Sequence, residues 1–197
     1  ARERVRAAGK YAGPEAVDTA GLPELPGGWC WARIDEVGQA DLGRQRSPAH
    51  HTGEHMRPYL RVANVFEARI DVTDVMEMNF TPCEYEHYKL EPGDILLNEG
   101  QTKELLGRPA IYNGEAPGAC FTNTLIRYRP FGGIAPEYAL AVFRGYMRTG
   151  RFQSIGKITT NIAHLGANRF RKLEFPVPPL AEQVAIAELL KPLLDDS

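Results

Sequence analysis

The sequence predicts an α+β domain: an irregular, curved mixed β-sheet, a few helices, and an amphipathic helix at the C-terminus. Three observations predict it. From Trp29 onward the apolar residues come in short runs bounded by Gly, Pro, Asn or Asp, the pattern of short strands joined by turns. One internal segment, after Pro136, carries apolar residues at helical spacing. A proline tract then leads into a second helical run that closes the chain. With 197 residues, 43% of them apolar and 24% charged, the chain has the means to bury one good-sized core.

Residues 1–28 open with a short helix-compatible run and pass into GPEAVDTAGLPELPGG, which lacks apolar periodicity and reads as a linker. The domain proper is expected over 29–179. Trp29 to Ile34 alternates, residues 58–65 are rich in β-formers, and 94–98, 110–112 and 124–128 are short apolar or alternating runs, all read as strands. Glu91-Pro92-Gly93-Asp94 is a turn feeding a buried strand, because Pro presets the turn dihedral and Gly accepts positive φ. After Pro136, EYALAVFRGYMRTGRFQSI puts Tyr138, Ala141, Val142 and Tyr146 on one helical face and Arg144, Arg148 and Arg151 along its polar side.

The closing helix, over 180–197, is announced by Pro176, Pro178 and Pro179 before it and by Glu182 in its first turn. Leu180, Val184, Ala187 and Leu190 form one apolar face, and Ile186, Leu189 and Leu193 another. A helix apolar on both sides needs two partners, its own domain and a helix supplied from elsewhere. Pro192 predicts an interruption near its end.

Composition excludes several classes. Cys30, Cys83 and Cys120 are odd in number and scattered, which leaves neither a disulfide framework nor a CxxC metal or redox pair. Neither GxGxxG nor a Walker pattern is present, so no nucleotide, flavin or metal is expected in this chain. No stretch approaches the roughly 18 apolar residues of a membrane span, and the charged opening leads into no apolar signal core, so a cytoplasmic protein is expected. A start at Ala1 and a stop at Ser197, directly after an amphipathic run, read as part of something longer. The net charge of −2 hides an asymmetry: residues 66–100 hold two Lys and Arg against nine Asp and Glu, whereas 101–172 hold eleven against three. Such segregation either builds a basic face on a near-neutral protein or leaves solvated charges with no common surface.

Three polar segments are candidate contact loops. Arg44, Gln45 and Arg46 open a Gly- and Pro-punctuated stretch ending in His50-His51, and Arg and Gln match guanine and adenine edges in the major groove. Gln101, Thr102 and Lys103 follow a buried strand that holds the loop at its root; Lys103 suits a phosphate, Gln101 a base edge, and Glu99 either accepts from cytosine or turns the loop. Lys157, Thr159, Thr160 and Asn161 follow Gly156 with ammonium, hydroxyl and amide donors suited to phosphate oxygens, or else form a Thr-rich turn capping a helix. Asn123 adjoins Arg127 and Arg129, two residues apart on one strand face. These two arginines either line the same basic surface or face water.

One motif points to a different class. His51-Thr52-Gly53-Glu54-His55 matches the H-x-x-E-H pattern of inverted zinc proteases, in which a helix must bring the two His onto one face. Gly53 at its centre and Pro48 and Pro58 on either side argue against a helix there. The remaining rival is a protein–protein adaptor whose two-faced terminal helix is the working surface.

The order of motifs resembles the specificity subunits of Type I restriction-modification enzymes. The segments that carry it are LPELPGGWCWARIDEVG (22–38), RPYLRVANV (57–65), LEPGDILLNEGQTKELLGRPAIY (90–112), FTNTLIRYRP (121–130) and IGKITTNIAHLGANRFRKLEFPVPPLAEQVAI (155–186). The resemblance implies a DNA target-recognition domain without a catalytic centre. In such a subunit two recognition domains, separated by long helices, each read half of a split site on double-stranded DNA. It further implies DNA methyltransferase subunits that bind S-adenosylmethionine and restriction/translocase subunits that use ATP and Mg, with those cofactors on the partners only. One such domain is present here, between an incoming helix stub and the start of the outgoing spacer or dimerisation helix, so a second recognition domain or self-pairing is implied. Pro192 and the short N-terminal helix depart from the long paired helices of the family.

Overall fold

The structure, a computed structural model, describes residues 17–159 and 162–195. The helix-compatible run at the N-terminus lies outside those residues. The domain opens with β1 (Cys30–Arg33), a single helical turn α1 (Ile34–Val37) and β2 (Gly38–Leu42). Next come β3 (Met56–Leu60), β4 (Val65–Phe66), β5 (Arg69–Ile70), β6 (Met76–Asn79), α2 (Pro82–Tyr88), β7 (Ile95–Asn98), β8 (Gly100–Gln101), β9 (Pro109–Ile111), β10 (Cys120–Phe121) and β11 (Leu125–Pro130). The last third holds α3 (Pro136–Arg148), α4 (Arg151–Ile155), β12 (Lys157–Thr159), β13 (Ile162–His164), α5 (Ala167–Arg171), β14 (Glu174–Val177) and α6 (Leu180–Asp195).

The sheet is irregular because its strands are short. Among the described residues it falls into five small sheets: a central antiparallel β2-β11-β7-β9, a mixed β10-β3-β6, an outer β12-β13-β8, and the pairs β1-β14 and β4-β5. β10 runs parallel to β3. The pair β1-β14 brings the start and end of the domain together, with Cys30 opposite Val177 and Arg33 opposite Glu174.

β7 explains how the layers are held. Its side chains alternate in direction, and all four are buried. Ile95 and Leu97 join a large cluster with Ile126, Tyr128, Phe143, Phe152, Phe170 and Phe175 on the helical side, while Leu96 joins Leu60, Val65, Tyr112, Phe121 and Leu125 on the other. A strand covered on both faces reads as an unbroken apolar run, as ILL does here. Phe143 is the hub of the helical side, with its ring 5.0 Å from Tyr128, 5.2 Å from Phe170 and 5.8 Å from Phe175. The 91–94 turn forms with Gly93 at φ +95°, and Asp94 Oδ2 accepts from the Glu91 amide at 2.8 Å.

Several elements differ from the sequence expectation. The strand read over 58–65 stops at Leu60, and Val62–Asn64 form a 3-10 turn. The run after Pro136 is two helices, parted at Gly150, and its buried face is Tyr138, Ala139, Leu140, Phe143, Arg144 and Met147. The seven-residue α2 was missed, although Thr81-Pro82-x-Glu84 spells its capping box: Thr81 Oγ1 accepts from the Glu84 amide while Glu84 Oε2 accepts from the Thr81 amide. Arg144 does not lie on a polar side. It is buried with its Nε and Nη2 each 2.8 Å from Glu67 Oε1, which also meets Arg148 at 2.7 Å.

α6 continues through Pro192 to Asp195. It is seated by Gln183, whose Nε2 donates to Gly133 O and Pro178 O at 2.9 Å each and whose Oε1 accepts from the Ala135 amide at 2.9 Å. Ile186 is half-buried against the core. Leu180, Val184 and Leu189 are exposed, and the Leu193 side chain lies outside the described residues.

Candidate nucleic-acid interface

The register of the central sheet fixes which loops leave from one end. Leu42 lies opposite Ile126, Asn98 opposite Leu125, and Pro109 opposite Leu97. From this end depart Gly43-Arg44-Gln45 after β2, Glu99 to Gln101 after β7, and the segment Thr122 to Thr124 that leads into β11. Backbone bonds lace them together: the Asn123 amide donates to Arg44 O at 3.0 Å and the Glu99 amide to Thr124 O at 2.9 Å. Gly43 lies so close to the Thr122 carbonyl that a side chain there would overlap it. The hydroxyls of Thr122 and Thr124 are 3.0 Å apart, and Thr124 Oγ1 accepts from the Val62 amide.

The third segment arrives by a different route. β13 pairs with β8, setting Ala163 opposite Gln101 and His164 opposite Gly100, and β12 pairs with β13 on its far side. Lys157 and Gln101 therefore belong to one three-stranded sheet, rooted at Glu99. The Glu99 carboxylate lies 3.0 Å from His164 Nδ1 and accepts from the Gly166 amide, while its carbonyl accepts from the Leu165 amide at 2.8 Å. Glu99 is thus committed to holding the hairpin, and the turning role considered for it from sequence is the one its carboxylate serves.

The individual candidates have different environments. Gln45 and Arg46 are exposed, with the Arg46 guanidinium 5.5 Å from the Tyr59 ring centre. Gln101 is half-exposed and its Oε1 accepts from the Thr102 amide at 2.9 Å. Thr102 and Lys103 are exposed at the 103–105 3-10 turn, Asn123 is half-buried, and Lys157 is exposed. Thr160 and Asn161 lie outside the described residues, as does the side chain of Thr159. Arg44 is a correction to the reading of an exposed loop. It is 8% exposed, donates to Asn79 O, pairs with Glu84 at 2.8 Å and lies over the Phe80 ring.

The basic face is corrected as well. Arg127 is buried against Asp41 at 2.9 Å, and Arg129 makes a forked pair with Asp94 at 2.6 and 2.8 Å, so neither lines an open cationic surface. The Asp94 partnership pushes the Arg129 pKa up further. Arg144 and Arg148 meet Glu67, Arg151 meets Glu174, and Arg171 reaches Ala40 O and Asp41. Charges segregated in sequence are mixed again by the fold, because a buried cation requires a nearby acceptor or anion. The exposed candidate cations at this end are Arg46, Lys103 and Lys157.

Residues 51–55 are turns and bends rather than a helix, so His51 and His55 do not share a helical face with Glu54. Among the described residues no three His, Cys, Asp or Glu converge as a metal site, and no helix is long and apolar enough to cross a membrane. Sequence reasoning overlooked the Thr122–Thr124 hydroxyl pair and the exposed isoleucines 158 and 162. The alternation Lys-Ile-Thr before the polar pair Thr160-Asn161 was the available signal for the latter.

The sequence model of one family, described as the Type I restriction modification DNA specificity domain, matches residues 26–197. The putative type I restriction enzyme MjaX specificity subunit of Methanocaldococcus jannaschii is 30% identical over 135 residues, 68% of this chain and 32% of its own. The EcoKI specificity subunit of Escherichia coli K12 is 26% identical over 184 residues, 87% of this chain and 37% of its own. The chain thus spans about a third of these relatives' length. In fold it is similar to the HsdS subunit from Thermoanaerobacter tengcongensis (TM-score 0.65, 20% identity, 89% of this chain and 40% of that one). A chain from a structure of type I R-M complex assembly and conformational transition is also similar (TM-score 0.64, 19% identity, 89% and 40%). With the motif order, the fold and a family match over nearly the whole chain in agreement, the chain belongs to the Type I restriction-modification DNA specificity domain family.

Proposed function

We propose that the chain is a DNA target-recognition domain that reads half of a bipartite site and brings methyltransferase and restriction subunits to it. The observation that carries the reading is the gathering of Gln45, Arg46, Gln101, Lys103, Asn123 and Lys157 around one end of the central sheet. Those side chains supply what a duplex presents a protein with: ammonium and guanidinium for phosphates, amide and guanidinium for base edges. The domain reads and its partners react, so S-adenosylmethionine, ATP and Mg belong to the partner subunits, in the cytoplasm. The exposed Leu180, Val184 and Leu189 on α6 supply the apolar surface on which a partner helix would dock.

Binding of the full chain to a randomised duplex pool, at two salt concentrations, tests the reading. The expected result is selection of one short sequence, with affinity falling as salt rises because counterions are released with each neutralised phosphate. Comparing methylomes of source cells with and without the gene should show loss of one split motif. Methyl transfer by the purified chain alone, or salt-independent binding without selection, would overturn the proposal.

A further inference from the structure

The β12-β13 hairpin carries an isoleucine open to solvent on each of its two faces. Lys157 lies opposite His164, Ile158 opposite Ala163, and Thr159 opposite Ile162. Opposed residues share a face and successive ones alternate. Ile158 therefore shares its face with Ala163 and, across β13, with Gln101, whereas Ile162 lies on the face of Lys157 and His164. Ala163 is buried, yet Ile158 is 62% and Ile162 49% exposed. The difference has a structural cause: Ala163 is flanked by β8 on one side and β12 on the other, whereas Ile158 lies on the edge strand β12 and Ile162 lies beyond the last pairing with β8.

A single exposed apolar residue needs no explanation. Two of them, on opposite faces of the β12-β13 ribbon at the edge of its sheet and next to an exposed lysine, call for surroundings that touch both faces at once. The DNA major groove admits a two-stranded ribbon between its walls, and the apolar group that base edges present there is the thymine 5-methyl. We propose that Ile158 and Ile162 are specificity-determining residues that pack against thymine methyls when the ribbon enters the major groove. The inference rests on the DNA-reading function proposed above and adds to it a preference for A·T pairs beneath the ribbon. Lys157 is placed one residue from Ile158 to meet the phosphate, and Gln101, on the Ile158 face, to meet adenine.

Replacing each thymine of the selected duplex by uracil removes the methyl and leaves the pairing edge intact. The full chain should lose affinity about fourfold at one or more thymines, the transfer contribution of one methyl-sized group. Ile158→Ala or Ile162→Ala should bind the thymine and uracil forms of that position equally, with unchanged salt dependence and unfolding midpoint. Lys157→Ala should keep the thymine-to-uracil ratio. A wild-type chain that selects a sequence yet ignores every uracil overturns the inference alone, as do Ala variants that keep the ratio. Ala variants that keep the ratio but fail to co-assemble with a protein partner would assign the ribbon to that partner. A chain that selects no sequence overturns the DNA-reading function and the inference together.

Discussion

Arg44 and Arg46, two residues apart, show how much a side chain's role depends on contacts far away in sequence. Arg44 is held by Asn79 O, Glu84 and Phe80, so Arg44→Ala should destabilise the fold by about 2 kcal/mol, because it strips a partly buried carboxylate of its partner. The low pKa of Glu84 has the same environment behind it: burial pushes it up, and the Thr81 amide and hydroxyl together with Arg44 outweigh that. Arg46→Ala should leave stability within about 0.5 kcal/mol. It should relax the preference at one base pair by about 1–3 kcal/mol, as should Gln101→Ala. Urea unfolding and binding to single-base variants separate the two arginines. A stability loss at Arg46 with no change in base preference would return it to the structural class. The cysteines offer a parallel contrast. Burial pushes the Cys120 thiol up to about 12, while Cys30 and Cys83 are exposed, so a thiol reagent at pH 8 should label two sites in the folded chain and three in urea.

At the scale of elements, legibility followed the range of the contacts involved. The 91–94 turn, the ILL strand and the start of α6 were readable because each is specified by a few neighbouring residues. The orientation of α3 was not, because its buried arc is set by Phe143 meeting Tyr128, Phe170 and Phe175 and by Glu67 reaching in to Arg144. The 44–51 segment, with its 3-10 turn at Pro48–His50, was legible as a loop, whereas Gly100–Gln101 and Lys157–Thr159, also read as loops, are the strands β8 and β12. That Gln101 and Lys157 share one sheet was not legible, since the pairing joins strands about sixty residues apart through β13. Gln183 is the plainest omission, a polar residue in an apolar helix that proves to be its anchor. Gln183→Leu should cost about 2 kcal/mol, because Gly133 O, Pro178 O and the Ala135 amide lose their partner in a site with little water. Denaturant titration with an unchanged m-value would check it, and a neutral result would mean that the segment refolds around the substitution.

For the whole molecule, the +8 of residues 101–172 is the feature that most suggests a nucleic-acid binder, and the fold disperses it. Asp41, Glu67, Asp94 and Glu174, all from outside that segment, absorb Arg127, Arg129, Arg144, Arg148, Arg151 and Arg171. The exposed candidate cations at the proposed reading end are Arg46, Lys103 and Lys157, so the dependence of log affinity on log salt should have a shallow slope, on the order of −3, at about 0.9 per neutralised phosphate. Most discrimination must then come from base-edge contacts and from the fixed placement of the loops around residues 122–124 rather than from a broad electrostatic field. Lys157 is the cleanest probe, since it is exposed and sits on a hairpin rooted by Glu99. Lys157→Ala should weaken cognate and non-cognate duplexes alike and reduce the slope by about one. Titrations at several salt concentrations measure both quantities. A wild-type slope of about −6 or steeper would require cations beyond this end of the sheet, and an unchanged slope in Lys157→Ala would take this lysine off the phosphates.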